Sequence, residues 1–161
     1  MRNNGIEVMI NAIPVKNDEF EWNSTLTLSH NENELLSLSN DLYETDNFVE
    51  VGGVGDPISV ATHCMEVGHR LGDFWGLKST GVSKDGFVWV QVSDGNGGWV
   101  SKEFDTKYNE KANRQRLGNG LPQLIAGWSN TFKYKGFDLS LMFTGQFGFQ
   151  ILNEQRAFYE N

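Results

Sequence analysis

FEWNSTLTLS, at positions 20–29, is the stretch that decides the fold. Over most of its length, apolar side chains alternate with hydroxyl, amide and carboxylate side chains. Because successive residues of a β-strand point to opposite faces, a period of two predicts a strand with one apolar and one polar face. GIEVMINAI, at 5–13, shows the same alternation, and the turn-rich PVKND joins the two. The sequence therefore predicts an antiparallel hairpin.

A second pair of alternating segments lies at 124–134 (LIAGWSNTFKY) and 137–147 (FDLSLMFTGQF). Each has one apolar and one mostly polar face. Only Lys135 and Gly136 separate them, so that the connection is a tight two-residue turn. We predict a second antiparallel hairpin here, with one apolar and one polar face.

About ninety residues connect the two hairpins, far more than the usual connection of about 4–6 residues. This region must therefore have its own structure or function. GFVWVQV (86–92) and WVSKEF (99–104) flank SDGNGG, which predicts an inner hairpin. Positions 17–69 contain no Lys or Arg, and we expect an acidic, solvated surface from Glu32, Glu34, Asp41, Glu44, Asp46, Glu50 and Asp56.

Composition excludes several classes of protein. The 161 residues carry a net charge of -8, the wrong sign for neutralising phosphates, so we predict no nucleic-acid partner. The single cysteine, Cys64, cannot form an internal disulfide or a multi-cysteine zinc site. The sequence contains no apolar run of the roughly 20 residues that a membrane helix needs. Membrane β-strands are shorter and alternate, so a mean hydropathy of -0.43 is compatible with them.

Alternation alone does not separate a soluble β-sandwich from the wall of a membrane barrel, since both have one apolar face. Two features favour the barrel. The connections run short, very long and short, as periplasmic turns and extracellular loops do. Aromatic side chains also cluster beside both short turns, as they do at a membrane interface; these are Phe20, Trp22, Phe132, Tyr134 and Phe137.

Five sequence blocks, taken in order, resemble the SusC/RagA type of TonB-dependent outer-membrane transporter, toward the C-terminal half of its barrel. They are RNNGIE (2–7), FEW (20–22), GHRLGDFWG (68–76), NRQRLGN (113–119) followed by Pro122, and YKGFDLS (134–140). No single block is specific, but five with consistent order and spacing are.

The resemblance implies an all-β fold, a fragment of an antiparallel transmembrane β-barrel. Residues 1–30 and 121–148 would be two wall hairpins, and residues 31–120 a long extracellular loop containing the small hairpin. Residues 149–161 would begin the next extracellular loop. We expect a fragment, because the plug, the TonB-contacting segment and the closing strand of such a barrel are not recognisable.

The resemblance also implies a function in the cell outer membrane. The expected partners are a SusD-type surface lipoprotein, TonB through the plug region, outer-membrane lipid, and a glycan or peptide nutrient. The nutrient itself is not encoded in any motif. One alternative is a soluble carbohydrate-binding β-module, suggested by the tryptophans of the long connection and its acidic surface. Another is a passive porin or structural barrel.

Candidate sites are few. His63, Cys64 and His69 lie close together but match no standard zinc spacing, and the Asp94-Gly95-Asn96 turn lacks the acidic spacing of a calcium loop. No Gly-x-Ser-x-Gly elbow occurs, and no carboxylate pair lies in an apolar setting. We predict no enzymatic activity, no cofactor and no metal. Exposed aromatic faces stack on sugars or anchor partners, so the candidate contact residues are Trp75, Trp89 and Trp99. The alternative is that these rings pack within the small sheet of the long connection. Trp75 lies in one of the family-like blocks, which suggests a structural role near the barrel rim, whereas Trp89 and Trp99 flank the inner hairpin and are favoured for surface contact.

Overall fold

The computed structural model describes residues 1–39, 46–56 and 58–159. These residues form antiparallel β-structure with little helix, which confirms the predicted all-β fold. The strands are β1 (Arg2–Lys16), β2 (Phe20–Glu34), β3 (Phe48–Val51), β4 (His63–Glu66), β5 (Asp73–Gly76), β6 (Ser79–Val82), β7 (Val88–Ser93), β8 (Trp99–Glu103), β9 (Gln115–Asn119), β10 (Leu124–Tyr134) and β11 (Phe137–Phe147). Short 3-10 helices span Thr106–Tyr108 and Lys111–Asn113, and one α-helix, α1, spans Glu154–Tyr159.

The chain divides into two compact units. The first contains Met1–Glu34 and Leu121–Gln150, and the second contains Leu35–Gly120 and Ile151–Asn161. The first unit is a four-stranded sheet in the order β1-β2-β10-β11. The second holds a four-stranded sheet, β3-β4-β5-β9, and a three-stranded sheet, β6-β7-β8.

Both predicted hairpins are present in the first unit, and β2 pairs with β10 to join them. Lys135 and Gly136 have φ angles of 45° and 86°, the two positive values that a type I′ turn requires. At the other turn, Asn17 Oδ1 accepts hydrogen bonds from the backbone N–H groups of Glu19 and Phe20, at 3.0 and 2.8 Å. Local turn chemistry therefore fixes the register of both hairpins.

β1 and β2 extend further than their apolar alternation predicts. At the end of the ladder, Arg2 lies opposite Glu34 and forms an ion pair with it, while Asn3 lies opposite Asn33. These polar pairs continue the strands without any apolar signal.

A β-bulge between Ala12 and Val15 places one extra residue in β1. Pro14, which has no N–H to donate, lies within it.

The inner hairpin predicted from the SDGNGG turn is formed by β7 and β8, and β6 pairs with the other side of β7. Val90 and Val92 are buried there. The four-stranded sheet of the same unit is not predicted by the sequence. Its strands are four or five residues long, too short for a periodic pattern, and β5 pairs with the distant β9.

The expected acidic surface is only partly solvated. Glu50 is half-buried and pairs with Arg114, so it departs from that expectation. Asp41 and Glu44 lie outside the described residues. Within 1–39, 46–56 and 58–159, no helix combines the length and apolar composition that crossing a membrane requires.

Candidate functional site

The sheet of the first unit has one continuous apolar face. Directly paired residues of an antiparallel sheet share a face, and Ile10, Leu26, Trp128 and Phe143 form one such row across all four strands. Rows two residues away along each strand add to it. We call this set the apolar face; it includes Ile6, Val8, Ile10, Trp22, Leu26, Leu28, Trp128, Phe132, Leu139, Leu141 and Phe143.

The opposite surface, the polar face, carries hydroxyl, amide and charged side chains. Asn11 and Thr25 are paired there, and Thr25 Oγ1 donates a hydrogen bond of 2.8 Å to Asn11 Oδ1. Met9, Ile125 and Met142 are its larger apolar members. Its polar members include Glu7, Asn11, Glu21, Asn23, Thr25, Thr131, Asp138, Ser140 and Thr144.

Within the part of the chain that the structure describes, large side chains of the apolar face remain exposed. Leu139 is 53% exposed and Phe143 is 56% exposed. The buried apolar residues of the described chain, in contrast, all belong to the second unit: Leu35, Val54, Cys64, Val90 and Val92. A contiguous apolar surface of this kind marks contact with another protein or a membrane.

Polar groups within the apolar face satisfy one another. Trp22 Nε1 donates to Asn130 Oδ1 at 3.0 Å, and Trp128 Nε1 donates to Ser24 Oγ at 2.9 Å. Ser24 and Asn130 are directly paired between β2 and β10, so the two bonds run diagonally on either side of that pair. Both indole N–H groups are thereby paired without water.

Aromatic rings gather at the end of this sheet where both short turns lie. Phe132 stacks between Phe20 and Trp22, with ring centroids 6.3 and 5.7 Å apart. Tyr134 lies opposite Phe137 at the turn, and the Lys135 ammonium lies 5.4 Å from the Tyr134 ring. The predicted clustering of aromatic residues beside the turns is thus present in three dimensions.

In the second unit, an ionic network links strands of the four-stranded sheet. Asp73 on β5 accepts hydrogen bonds from Arg116 Nε at 3.0 Å and from Asn119 Nδ2 at 2.7 Å, both on β9. Arg116 also pairs with Glu66 on β4. Burial by itself would lower the pKa of Arg116, but its hydrogen bond and ion pair with Glu66 raise that pKa above the ordinary value.

Trp75, one of the three predicted contact residues, is part of this packing. Its Nε1 donates to Glu50 Oε1 at 2.7 Å, and its ring lies against Phe48 at 5.0 Å. Glu50 also pairs with the buried Arg114 at 3.3 Å. The indole is half-buried and already has a hydrogen-bond acceptor, which suits a structural role for Trp75 in this sheet.

The histidine and cysteine cluster considered as a metal site has other contacts. Cys64 is buried, and burial raises the pKa of its thiol, which disfavours the thiolate that binds metal. The His63 ring packs edge-on against Phe74. Among the described residues, no group of three or more His, Cys, Asp or Glu side chains is arranged to hold a metal ion.

Asp94 organises the turn of the inner hairpin. Its Oδ1 accepts hydrogen bonds from the backbone N–H groups of Asn96 and Gly98, each at 2.8 Å. A Cβ at Gly98 would lie 2.5 Å from Asp94 Oδ2, so a larger residue there would displace this carboxylate. The hydrogen bonds lower the pKa of the carboxyl below its usual value. The Asp-Gly-Asn stretch is thus a side-chain-capped turn.

Trp89 and Trp99 lie on the same face of the three-stranded sheet. Trp89 is opposite Glu103 and Trp99 is opposite Ser93, so both indoles belong to the same side of the β7–β8 ladder. They are 38% and 43% exposed. The structure therefore brings two of the three predicted contact residues to one surface, while Trp75 lies in another sheet.

The known proteins similar to this chain in sequence include several TonB-dependent receptors. TonB-dependent receptor P3 of Formosa agariphila is 26% identical over 159 residues, which cover 95% of this chain and 16% of the receptor. TonB-dependent receptor P26 of the same organism is 30% identical over 166 residues, covering 95% and 15%. TonB-dependent receptor SusC of Bacteroides thetaiotaomicron is 26% identical, covering 87% and 13%. No protein-family model matches the sequence.

Solved structures share the fold. A chain from the RagAB peptide transporter superposes with a TM-score of 0.76 at 19% identity, covering 99% of this chain and 16% of that one. The RagAB peptide importer in its closed-closed state gives 0.74 at 20% identity. This chain therefore spans about one sixth of the relatives it matches. It is a relative of the SusC/RagA-type TonB-dependent receptors and corresponds to one segment of them, as its five sequence blocks predict.

Proposed function

We propose that this chain is part of a TonB-dependent outer-membrane transporter that imports nutrients together with a SusD-type surface lipoprotein. The observation that carries the proposal is the four-stranded sheet with an uncovered apolar face and an opposite polar face. It occurs in a chain related over most of its length to TonB-dependent receptors. A membrane barrel needs such a wall, apolar toward lipid and polar toward its lumen.

The edges of the sheet support this assignment. β1 and β11 are the outer strands, with 15 and 11 residues. Strands of about 9–11 residues are long enough to cross the hydrocarbon core when tilted. Long apolar edge strands promote aggregation in water. In a closed barrel, each edge would pair with a further strand of the same receptor, which removes the open edges.

The connections suggest the orientation of the wall. We assign residues 1–30 and 121–148 to two wall hairpins whose short turns face the periplasm. Residues 31–120 would form an extracellular region, and residues 149–161 would begin the next one. Aromatic rings beside the short turns suit the level of the lipid headgroups.

The nutrient is a glycan or a peptide. The RagAB relatives are described as peptide transporters, whereas the receptors of higher sequence identity carry no substrate in their names. The related proteins are receptors and transporters, which supports transport rather than catalysis for this chain.

The proposed function is tested by labelling whole cells to find which parts of the receptor lie outside the outer membrane. One epitope is inserted into the full-length receptor between Gly95 and Asn96, and another between Lys135 and Gly136. We expect antibody to label the first in intact cells and the second only after the outer membrane is permeabilised. The receptor should fractionate with the outer membrane and co-purify with a surface lipoprotein. A soluble receptor, or equal labelling of both epitopes in intact cells, would contradict the proposal.

A further inference from the structure

A shallow cavity of about 430 Å³, widely open to solvent, lies beside Trp89 on the three-stranded sheet. This volume falls within the range of small-molecule sites, about 300–1,000 Å³. The site is outside the ionic network of the second unit and outside the β1-β2-β10-β11 sheet of the first unit. It is lined by Thr80, Gly81, Val82, Ser83, Trp89 and Ser101.

The β6 partner of Trp89 is a glycine, which has no side chain to pack on the indole, and Trp89 is 38% exposed. Gly81 lies opposite Trp89 and has a φ of 147°, which favours glycine. No atom lies within 4 Å of the place where a Cβ at Gly81 would be. Val90 and Val92, on the opposite face of β7, are buried. One face of the sheet is therefore packed, and the other presents an open indole beside a cavity.

The chemistry of the lining favours an uncharged, hydroxylated ligand. Thr80, Ser83 and Ser101 contribute hydroxyl groups, which both donate and accept hydrogen bonds, and no residue of the lining is charged. Glu103, directly opposite Trp89, disfavours an anionic ligand nearby. A neutral sugar fits this set: its C–H face stacks on an indole while its hydroxyl edge bonds to hydroxyl side chains.

Trp99 extends the same surface. Its strand partner, Ser93, lies four residues beyond Trp89 along β7, a separation of roughly 13 Å at the rise of an antiparallel strand. The paired Gln91 and Ser101 lie between the two tryptophans. This spacing is longer than one sugar ring, so a ligand that touches both indoles has to be a chain of sugars.

We propose that Trp89 and Trp99 form a stacking platform for a neutral oligosaccharide, with one sugar ring seated in the cavity between Trp89 and Gly81. The proposal rests on the proposed transport function and narrows its nutrient from glycan or peptide to a neutral glycan. Ser101, which lines the cavity and lies on the face between the two indoles, would hydrogen-bond to the bound chain.

Calorimetric titration of the purified full-length receptor tests the platform. The probes are maltohexaose, cellohexaose, laminarihexaose and mannohexaose, with hexagalacturonate and a tryptic peptide mixture as comparators. At least one neutral hexasaccharide should bind. Trp89→Ala should weaken that binding about tenfold, whereas Trp89→Phe, which keeps an aromatic face, should stay within about threefold of the parent.

The matched control is Phe104→Ala, which removes another exposed ring of the same region, one that does not line the cavity. It should leave the affinity unchanged. The proposal is overturned if no neutral hexasaccharide binds, if only the uronate or peptides bind, or if Trp89→Ala and Phe104→Ala behave alike. A receptor that shows the epitope pattern described above but fails these titrations retains the transport function and refutes the platform alone.

Discussion

Trp22 and Asn130 are joined across β2 and β10 by a hydrogen bond of 3.0 Å from Nε1 to Oδ1. Asn130 is only 3% exposed, although it lies on the apolar face. Ser24, its strand partner, accepts the Nε1–H of Trp128 in the same manner. A polar pair within an apolar surface thus accepts one hydrogen bond from each of the two indole N–H groups. Paired in this way, both groups can lie against hydrocarbon, where an unsatisfied polar group is costly.

Asn130→Leu in the full-length receptor should destabilise the four-stranded sheet of the first unit by about 1–3 kcal/mol, because it leaves the Trp22 N–H without an acceptor. Urea unfolding in detergent or bilayers measures the effect. The double variant Trp22→Phe with Asn130→Leu removes both partners and should recover part of the loss. If the two single effects simply add in the double variant, the hydrogen bond does not couple these residues.

The β1-β2-β10-β11 sheet could be predicted from the sequence, because the alternation of apolar and polar side chains shows which face each residue belongs to. From Phe20 to Leu28, almost every second residue is apolar, and the Lys135-Gly136 turn fixes the pairing of β10 with β11. The ends of β1 and β2 could not be predicted, because the pairs that extend them, such as Arg2 with Glu34, carry no periodic apolar signal. The acceptors of the tryptophan N–H groups also depend on pairing between distant strands.

The four-stranded sheet of the second unit, β3-β4-β5-β9, could not be predicted for a different reason. Glu66 and Arg116 are fifty residues apart, and only the folded chain shows that they form an ion pair. Among the candidate contact residues, the sequence identified the exposed Trp89 and Trp99, but it could not show that Glu50 accepts the Trp75 N–H. Contact of Trp89 and Trp99 with a ligand stays a prediction.

Arg116→Met should loosen this sheet, because it leaves the carboxylates of Asp73 and Glu66 without their shared cation. We expect a loss of about 1–2 kcal/mol, allowing for the partial exposure of Arg116. Hydrogen exchange of β4, β5 and β9 in the full-length receptor measures the change. Lys107→Met, which breaks the exposed pair with Asp105, is the control and should leave exchange in these strands unaltered. Equal effects of the two variants would contradict the assigned role of the network.

The turn of the inner hairpin should weaken in acid. Asp94 has a lowered pKa in the folded chain, so its stabilising effect is present above the ordinary value of 3.8 and is lost as the pH falls through the lower folded value. The readout is the exchange rate of the Gly98 amide relative to Asp94→Ala at each pH. Protection should decline in this window for the parent chain. Asp94→Asn, which keeps an acceptor but does not titrate, should show no such decline.

The cost of an arginine on either face of β11 tests the central claim most directly. Leu141 lies on the apolar face, and the adjacent Met142 lies on the polar face at nearly the same depth. In the full-length receptor folded in bilayers, Leu141→Arg should cost about 2–4 kcal/mol of unfolding free energy if it lies near the midplane, while Met142→Arg and Thr144→Arg should be tolerated. Equal costs at Leu141 and Met142, or a larger cost at Met142, would contradict the assignment of the apolar face to lipid.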